Sequence, residues 1–372
     1  MIYKDYCNDK LSTLGFGLLR LPVIDGDKTR MDIEAVGELV DYAIKGGINY
    51  FDTAFLYQGG NAEKSLSEIF RKYPRDSYYF ATKYPGYHLK YMKDPEKIFE
   101  EELRNTGLEY FDYYLLHNVC ELSCDAYLDD SNNVVEYLIA QKKAGRIRHL
   151  GFSSHSEYEN LKYFLERRGK DMDFCQIQLN WLDWEFQRGR EKVGLLKEYG
   201  IPVWVMEPLR GGKLIKALES YDLSGFSTQD PVELSFRFLQ SIPEVKVVLS
   251  GMSTISMLEK NISVFDRPEP LSEKEMDMLQ KIAETELKKT SYPCTGCRYC
   301  TDNCPAGIDI PRVMEFCNEI KFSGDDTHVR HSISAMEDNE KPSACVGCRS
   351  CERSCPQNLK ITEAMEMLAS YK

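Results

Sequence analysis

No run in the chain approaches the roughly 18 consecutive apolar residues that a membrane-spanning helix requires, which excludes such a span. The opening Met1-Ile2-Tyr3-Lys4-Asp5 lacks the basic and apolar regions of a secretory signal, so a soluble, cytoplasmic protein is expected. Basic residues are the minority charge: 47 Lys and Arg against 59 Asp and Glu give a formal charge of -12, which argues against a sequence-independent grip on nucleic acid or on an anionic membrane. There is no Gly-x-Gly-x-x-Gly turn after an early strand, the turn by which a dinucleotide-binding doubly wound sheet is expected to announce itself. Cysteine is the exception to these scarcities. Of 13 in the chain, eight fall into two tight groups near the C-terminus, and grouping of that kind means metal ligation rather than disulfides.

At 372 residues the chain exceeds the usual size of one hydrophobic core, so a large domain plus an appendage is the natural division. Short β-branched and aromatic runs alternate with helical patterns. Strands are expected at Leu14 to Leu19, around Ile48 to Asp52, at Tyr78 to Thr82, Asp112 to Leu116, Ile147 to Phe152, Phe174 to Leu179, Pro202 to Met206 and Val245 to Leu249. Between them lie helical segments, the first capped by Asp32, the others at Ala62 to Arg71, Pro95 to Asn105, Val134 to Ala144, Tyr158 to Glu166, Gly189 to Tyr199 and Pro231 to Leu239. Eight strands separated by helices suit a (β/α)8 TIM barrel, and composition alone leaves the doubly wound sheet open. Met1 to Ser12 reads as an N-terminal cover of undetermined form. The composition changes after Arg267-Pro268-Glu269-Pro270 and a polar helix, which divides the chain at 1–285 and 286–372.

Three successive strand ends deliver ionisable side chains. Asp52 ends the second strand, with Tyr57 on the loop beyond it, Lys83 ends the third and His117 follows the fourth. A lone Tyr, Lys or His at a strand end is ordinarily surface or satisfied core. Four together can converge only if the strands are parallel neighbours, as in a barrel whose chemistry sits at the C-terminal rim. Asp52-Thr53-Ala54-x-x-Tyr57, then Lys83, then His117, resembles the Asp-Tyr-Lys-His tetrad of the aldo-keto reductases, a likeness that spans roughly residues 10–285. It implies the barrel fold and hydride transfer between NAD(P)(H) and a small carbonyl or alcohol. In those terms Tyr57 is the general acid/base, Lys83 a cation that stabilises its phenolate, Asp52 the anchor of that ammonium, and His117 the donor that orients the substrate oxygen.

The same resemblance implies further cofactor contacts. Ser153, Ser154 and Gln176 stand where the family holds the nicotinamide carboxamide, and Glu207, Leu209, Arg210 and Gly211 on the loop that wraps the pyrophosphate. Gly251, Ser253 and Asn261 fall in the last cofactor segment. Met206 takes the place of the aromatic residue that stacks on the nicotinamide. Gly251, Ser253 and Met257 occupy positions where members selective for the 2′-phosphorylated cofactor carry Lys or Arg. Loop aromatics Tyr84, Tyr87, Trp181 and Trp184 suit either a ring-bearing substrate or plain capping of the core.

Cys294-x-x-Cys297-x-x-Cys300-x-x-x-Cys304-Pro305 recurs as Cys345-x-x-Cys348-x-x-Cys351-x-x-x-Cys355-Pro356. This resembles the bacterial two-cluster ferredoxin pattern, in which the fourth Cys of each run ligates the other cluster. It implies one [4Fe-4S] cluster on Cys294, Cys297, Cys300 and Cys355 and another on Cys345, Cys348, Cys351 and Cys304. The long gap between the runs, with a helix expected at Pro311 to Ile320, resembles the small, mainly α-helical ferredoxins attached to larger redox enzymes, and zinc is the competing ligand reading. Nicotinamide moves two electrons at once and a cubane takes them singly. Either a flavin or a radical-tolerant substrate therefore stands between them, or the clusters serve a ferredoxin-like partner, sense oxidants, or simply staple the fold.

Overall fold

The computed structural model describes residues 1–290, 292, 294, 298, 300–301, 303–355 and 358–371. The chain divides into two compact units, Met1–Met276 and Asp277–Lys372. The division falls inside the helix Glu273–Thr290, nine residues before the 285/286 boundary drawn from composition. Among the described residues no helix is long and apolar enough to cross a membrane.

The first unit opens with a hairpin of β1 (Tyr3–Tyr6) and β2 (Asp9–Ser12), paired antiparallel. Then come eight strands: β3 (Leu14–Gly17), β4 (Tyr50–Asp52), β5 (Tyr79–Tyr84), β6 (Phe111–Leu116), β7 (Ile147–Ser154), β8 (Cys175–Gln178), β9 (Val203–Met206) and β10 (Val245–Ser250). All pair in parallel and close as β10-β3-β4-β5-β6-β7-β8-β9, a (β/α)8 barrel. Parallel neighbours need a crossover, and the helices supply it. The first, Ile33–Lys45, begins where Asp32 accepts a hydrogen bond from the Ala35 amide at 3.1 Å.

Alternation along each strand sorts its side chains. Outward-facing Phe51 and Phe80 meet Phe70 of the helix Ala62–Phe70, with ring centroids 4.9 and 5.5 Å apart. Tyr50, Ala81, Tyr113, Phe174, Trp204 and Val247 form one buried cluster inside the barrel, and Leu11 of the hairpin joins it. The hairpin is thus a plug. Tyr6 donates to the Asp173 carbonyl at 2.6 Å, and Asp9 accepts from the Tyr113 hydroxyl at 2.8 Å. On the barrel side Gly151 must be glycine, since a Cβ there would stand 2.5 Å from the Phe174 carbonyl oxygen.

Among the described residues the second unit has helices and no strand. Ile310–Ser323, Thr327–Ser334, Ser350–Ser354 and Ile361–Leu368 enclose a core that includes Val313, Met314, Cys317, Val329, Ile333 and Leu368. Pro311 in the first turn and Gly324 at φ 59° frame the longest of these helices.

Two of the buried carboxyls lie close together outside the barrel wall. Glu63 accepts from Thr82 at 2.7 Å and from Asn105 at 3.1 Å, and Glu102, on the helix Pro95–Thr106, accepts from the Tyr114 hydroxyl. Burial pushes Glu63 up to about 7 against those two hydrogen bonds. Burial, and then the neighbouring Glu63, raise Glu102 well above the usual range. A carboxyl raised in the folded state keeps a proton that the unfolded chain releases. Its contribution is whole below the unfolded pKa and is lost as pH rises through about 7. Glu63→Gln, neutral at every pH, is expected to flatten the fall in Tm between about pH 5 and pH 8, an effect of up to about 3 kcal/mol. Thermal unfolding followed by circular dichroism checks this, and an unchanged pH profile would refute it.

Candidate active site

Two residues beyond each inward-facing floor residue, the same pleat returns to the barrel interior at its C-terminal end. Tyr50 leads to Asp52, Ala81 to Lys83, Phe174 to Gln176 and Trp204 to Met206. Tyr113 leads through Leu115 to His117, and Val247 through Leu249 to Gly251. The rim residues line a cavity of about 600 Å³, within the ~300–1,000 Å³ usual for cofactor and substrate sites.

Lys83 donates to Asp52 and, at 2.7 Å, to the Thr53 carbonyl. The two side chains are 1% and 4% exposed. Burial lowers the Lys83 pKa and raises that of Asp52, and their mutual attraction opposes both shifts. The second carboxylate oxygen of Asp52 and the Gln176 amide oxygen are buried without a hydrogen-bond partner.

Tyr57 opens a turn in which Gln58, Gly59 and Gly60 all take positive φ, and the Gln58 amide donates to the Leu19 carbonyl at 2.7 Å. That tether fixes where the phenol enters the cavity. The Lys83 ammonium lies 5.3 Å from the Tyr57 ring centroid, and the His117 ring 6.0 Å away at 75°. Burial raises the phenol's pKa, helped by the charges of Asp52 and Glu207. The Lys83 ammonium, the cation expected to stabilise the phenolate, is hydrogen-bonded to Asp52 and Thr53. The phenol is held protonated. Burial and then Lys83 drive His117 well below the usual imidazole range, so the ring is neutral. Its amide and carbonyl are fixed by the Tyr84 carbonyl at 3.0 Å and the Tyr127 hydroxyl at 3.0 Å.

Ser153, Gln176, Glu207, Leu209, Gly211, Gly251, Ser253 and Asn261 all line this cavity, as do Met206 and Met257. Ser153 accepts from the Asn118 amide at 2.8 Å, and Asn261 donates to Ser250 at 3.1 Å. Two expected contacts are absent from the lining. Ser154 turns under the loop, donating to the Val119 carbonyl at 2.8 Å and bonding Ser156 at 2.7 Å. Arg210 turns into the barrel wall, where it grips Asp183 at 2.5 and 2.9 Å, with both side chains buried. Tyr84 and Trp181 are fully buried core, while the Tyr87 ring stands 4.7 Å from His117.

The cations that do line the cavity's far side are Arg20 and Lys260, which the sequence reading missed. Arg20 lies against Gly211, where a Cβ would come 2.5 Å from its guanidinium, and donates to Glu207 at 3.2 Å. Its signal was position: like Tyr57, it stands a few residues past a barrel strand.

In the second unit Cys304, Cys345, Cys348 and Cys351 border one cavity together with Ile308 and Met365. This is the set that combines three thiols of the later run with the fourth of the earlier one. Of the other set, Cys294 and Cys355 pack against the unit's core and Cys300 belongs to it, while Cys297 lies outside the described residues. The two runs share a left-handed step after the second Cys, Arg298 at φ 64° and Arg349 at φ 57°. Cys120, Cys124, Cys175 and Cys317 are buried, and Cys7 is exposed.

Residues 13–284 match the aldo/keto reductase family model and residues 293–360 that of a 4Fe-4S dicluster domain. The chain is 25% identical over 285 residues to L-galactose dehydrogenase of Arabidopsis thaliana, covering 70% of this chain and 86% of that protein. It is 27% identical over 224 residues to an NADH-specific methylglyoxal reductase of Escherichia coli, covering 55% and 65%. An aldo-keto reductase structure from Bacillus halodurans shares the fold, with a TM-score of 0.61 at 24% identity over 74% of this chain and 93% of that one. A family model that spans most of the chain, on a parallel eight-stranded barrel, places this oxidoreductase in the aldo/keto reductase family, with a 4Fe-4S dicluster domain following the barrel.

Proposed function

We propose that the barrel interconverts a small carbonyl and its alcohol by hydride transfer with NAD(P)(H), and that Tyr57 carries the proton. The observation that supports it most is the buried Lys83–Asp52 pair beneath the Tyr57 ring, with neutral His117 beside it, open to one cavity. The cavity suits the cofactor on its own chemistry: Gln176 offers a buried amide oxygen without a partner, which a carboxamide N–H satisfies, and Ser153 lies alongside. Reduced nicotinamide, when bound, supplies the hydride.

The remaining steps belong to the chain. A neutral imidazole can donate one N–H, and His117 uses it to hold the carbonyl oxygen. As hydride reaches the carbonyl carbon, negative charge develops on that oxygen, and an alkoxide is a stronger base than a phenolate. Tyr57, protonated at neutral pH, gives its proton to the oxygen and completes the alcohol. The phenolate left behind faces the Lys83 ammonium, which Asp52 keeps charged.

In the second unit we infer two [4Fe-4S] clusters, one on Cys345, Cys348, Cys351 and Cys304 and one on Cys294, Cys297, Cys300 and Cys355. The first set borders a common cavity. Cys348 is exposed, which suits exchange of single electrons with a ferredoxin-like partner. A flavin, detected by its absorption, is the competing route that would make the barrel an electron-transfer scaffold.

Tyr57→Phe is expected to lower carbonyl reduction by about 10²–10⁴-fold while nucleotide affinity stays within about threefold. Steady-state kinetics and a nucleotide titration check this, and unchanged turnover would remove Tyr57 as the acid. Anaerobically purified protein should carry roughly eight iron and eight sulfide per chain, and Cys304→Ser about half of each. Full iron in that variant would refute the crossed ligand set.

A further inference from the structure

Three cations line the barrel cavity, and each is already held by a carboxylate: Arg20 by Glu207 at 3.2 Å, Lys83 by Asp52, and Lys260 by Asp230. The third pair is the most informative. Lys260 lies on the helix Ile255–Val264, which follows β10, on the side of the cavity lined also by Ser253, Ser256, Met257 and Asn261. None of those four neighbours carries charge, and the Ser253 hydroxyl is directed at the Met257 sulfur, 3.7 Å away.

Asp230 cannot easily move aside. It caps the helix Pro231–Gln240, one carboxylate oxygen accepting from the Val232 amide at 2.9 Å and the Glu233 amide at 3.2 Å, while the other meets Lys260. Burial raises its pKa, but the Lys260 bond and the helix amides outweigh this and keep it below the usual carboxylate range. It is a fixed anion.

We propose that Asp230 is a specificity-determining residue: by neutralising Lys260 it makes the cavity select the nicotinamide nucleotide that lacks a 2′-phosphate. The inference rests on the nucleotide reading of this cavity and goes beyond it. A 2′-phosphate brings a further charge of about −1.5 to −2 near neutral pH. It would have to compete with Asp230 for Lys260 and would meet a carboxylate of like sign directly behind it. A ribose hydroxyl, being neutral, meets no such repulsion. Arg20 offers no substitute, since Glu207 holds it against Gly211 on the neighbouring loop.

The test measures dissociation constants of the holoprotein for NADH and NADPH by fluorescence titration. Wild type is expected to bind NADH at least about fivefold more tightly. In Asp230→Asn the helix cap survives, because Asn caps as well as Asp. Lys260 is released, NADPH binding tightens by about five- to tenfold, and NADH stays within about twofold. The gain for NADPH should shrink with added salt and vanish in Asp230→Asn/Lys260→Met. Lys260→Met alone leaves the Asp230 carboxylate uncompensated, so NADPH binding should weaken by about two- to fivefold relative to NADH. A wild type that prefers NADPH, an unchanged ratio in Asp230→Asn, or a gain for NADPH in Lys260→Met would each overturn the proposal. A wild type that binds neither nucleotide would instead overturn the nucleotide reading, and this inference with it.

Discussion

The buried pair of Lys83 and Asp52, 1% and 4% exposed, is the constraint on which the rest of the barrel rim depends. An ammonium taken out of water survives only with a counter-charge and hydrogen-bond acceptors around it, and Asp52 and the Thr53 carbonyl provide them. Breaking such a pair from either side leaves a buried lone charge and costs about 3–5 kcal/mol. The pair also joins adjacent strands β4 and β5 at their C-terminal ends, so the register of the barrel and the electrostatics of its cavity are set by the same contact. Its influence reaches both neighbours. Burial holds His117 neutral and Tyr57 protonated, and the pair adds to both effects, Lys83 at the imidazole and Asp52 at the phenol.

The barrel can hold that pair because its interior changes character within a single pleat. Aromatic rings fill the lower layer, among them Trp204, 4.7 Å from Phe174, and Tyr50, 5.0 Å from Tyr113. One step higher the same faces carry Asp52, Lys83 and Gln176. The hairpin closes the opposite end with Leu11, Tyr6 and Asp9, and the polar layer lines the cavity at the C-terminal rim. Apolar packing below provides the low dielectric in which the few charges above act strongly.

Much of this was legible before any coordinates. Short β-branched and aromatic runs between helical patterns marked all eight strands, and a polar residue at or just past each of three strand ends marked Asp52, Lys83 and His117. What could not be read was the direction in which loop side chains turn. Arg210 and Glu207 both adopt positive φ, 42° and 53°, and that local twist sends the guanidinium into Asp183 instead of the cavity. Ser154 continues the alternation of β7 away from the interior, so it could not share a face with Ser153. Tyr84 and Trp181 looked like mouth residues because they follow strands, yet burial of a large ring outweighs its position in sequence. The partner of Lys260 is Asp230, on another helix and thirty residues away, which no local pattern announces. In the tail the spacing of the thiols carried the signal, and in the fold Cys304 borders one cavity with Cys345, Cys348 and Cys351.

The two units handle electrons in different portions, and this bears on how they are used together. Hydride carries both electrons to the carbonyl carbon and Tyr57 adds the matching proton, so the reaction proposed for the barrel balances without iron. A cubane exchanges one electron at a time and no proton is required. Reducing equivalents therefore pass between the units only through a group that can hold a single electron, and a protonated phenol beside a neutral imidazole is a poor one, because its oxidation must also expel a proton into a cavity whose nearest carboxylate is already bound to Lys83. Clusters attached to such a site suit a one-electron carrier outside the barrel, the exchange proposed above for the exposed Cys348.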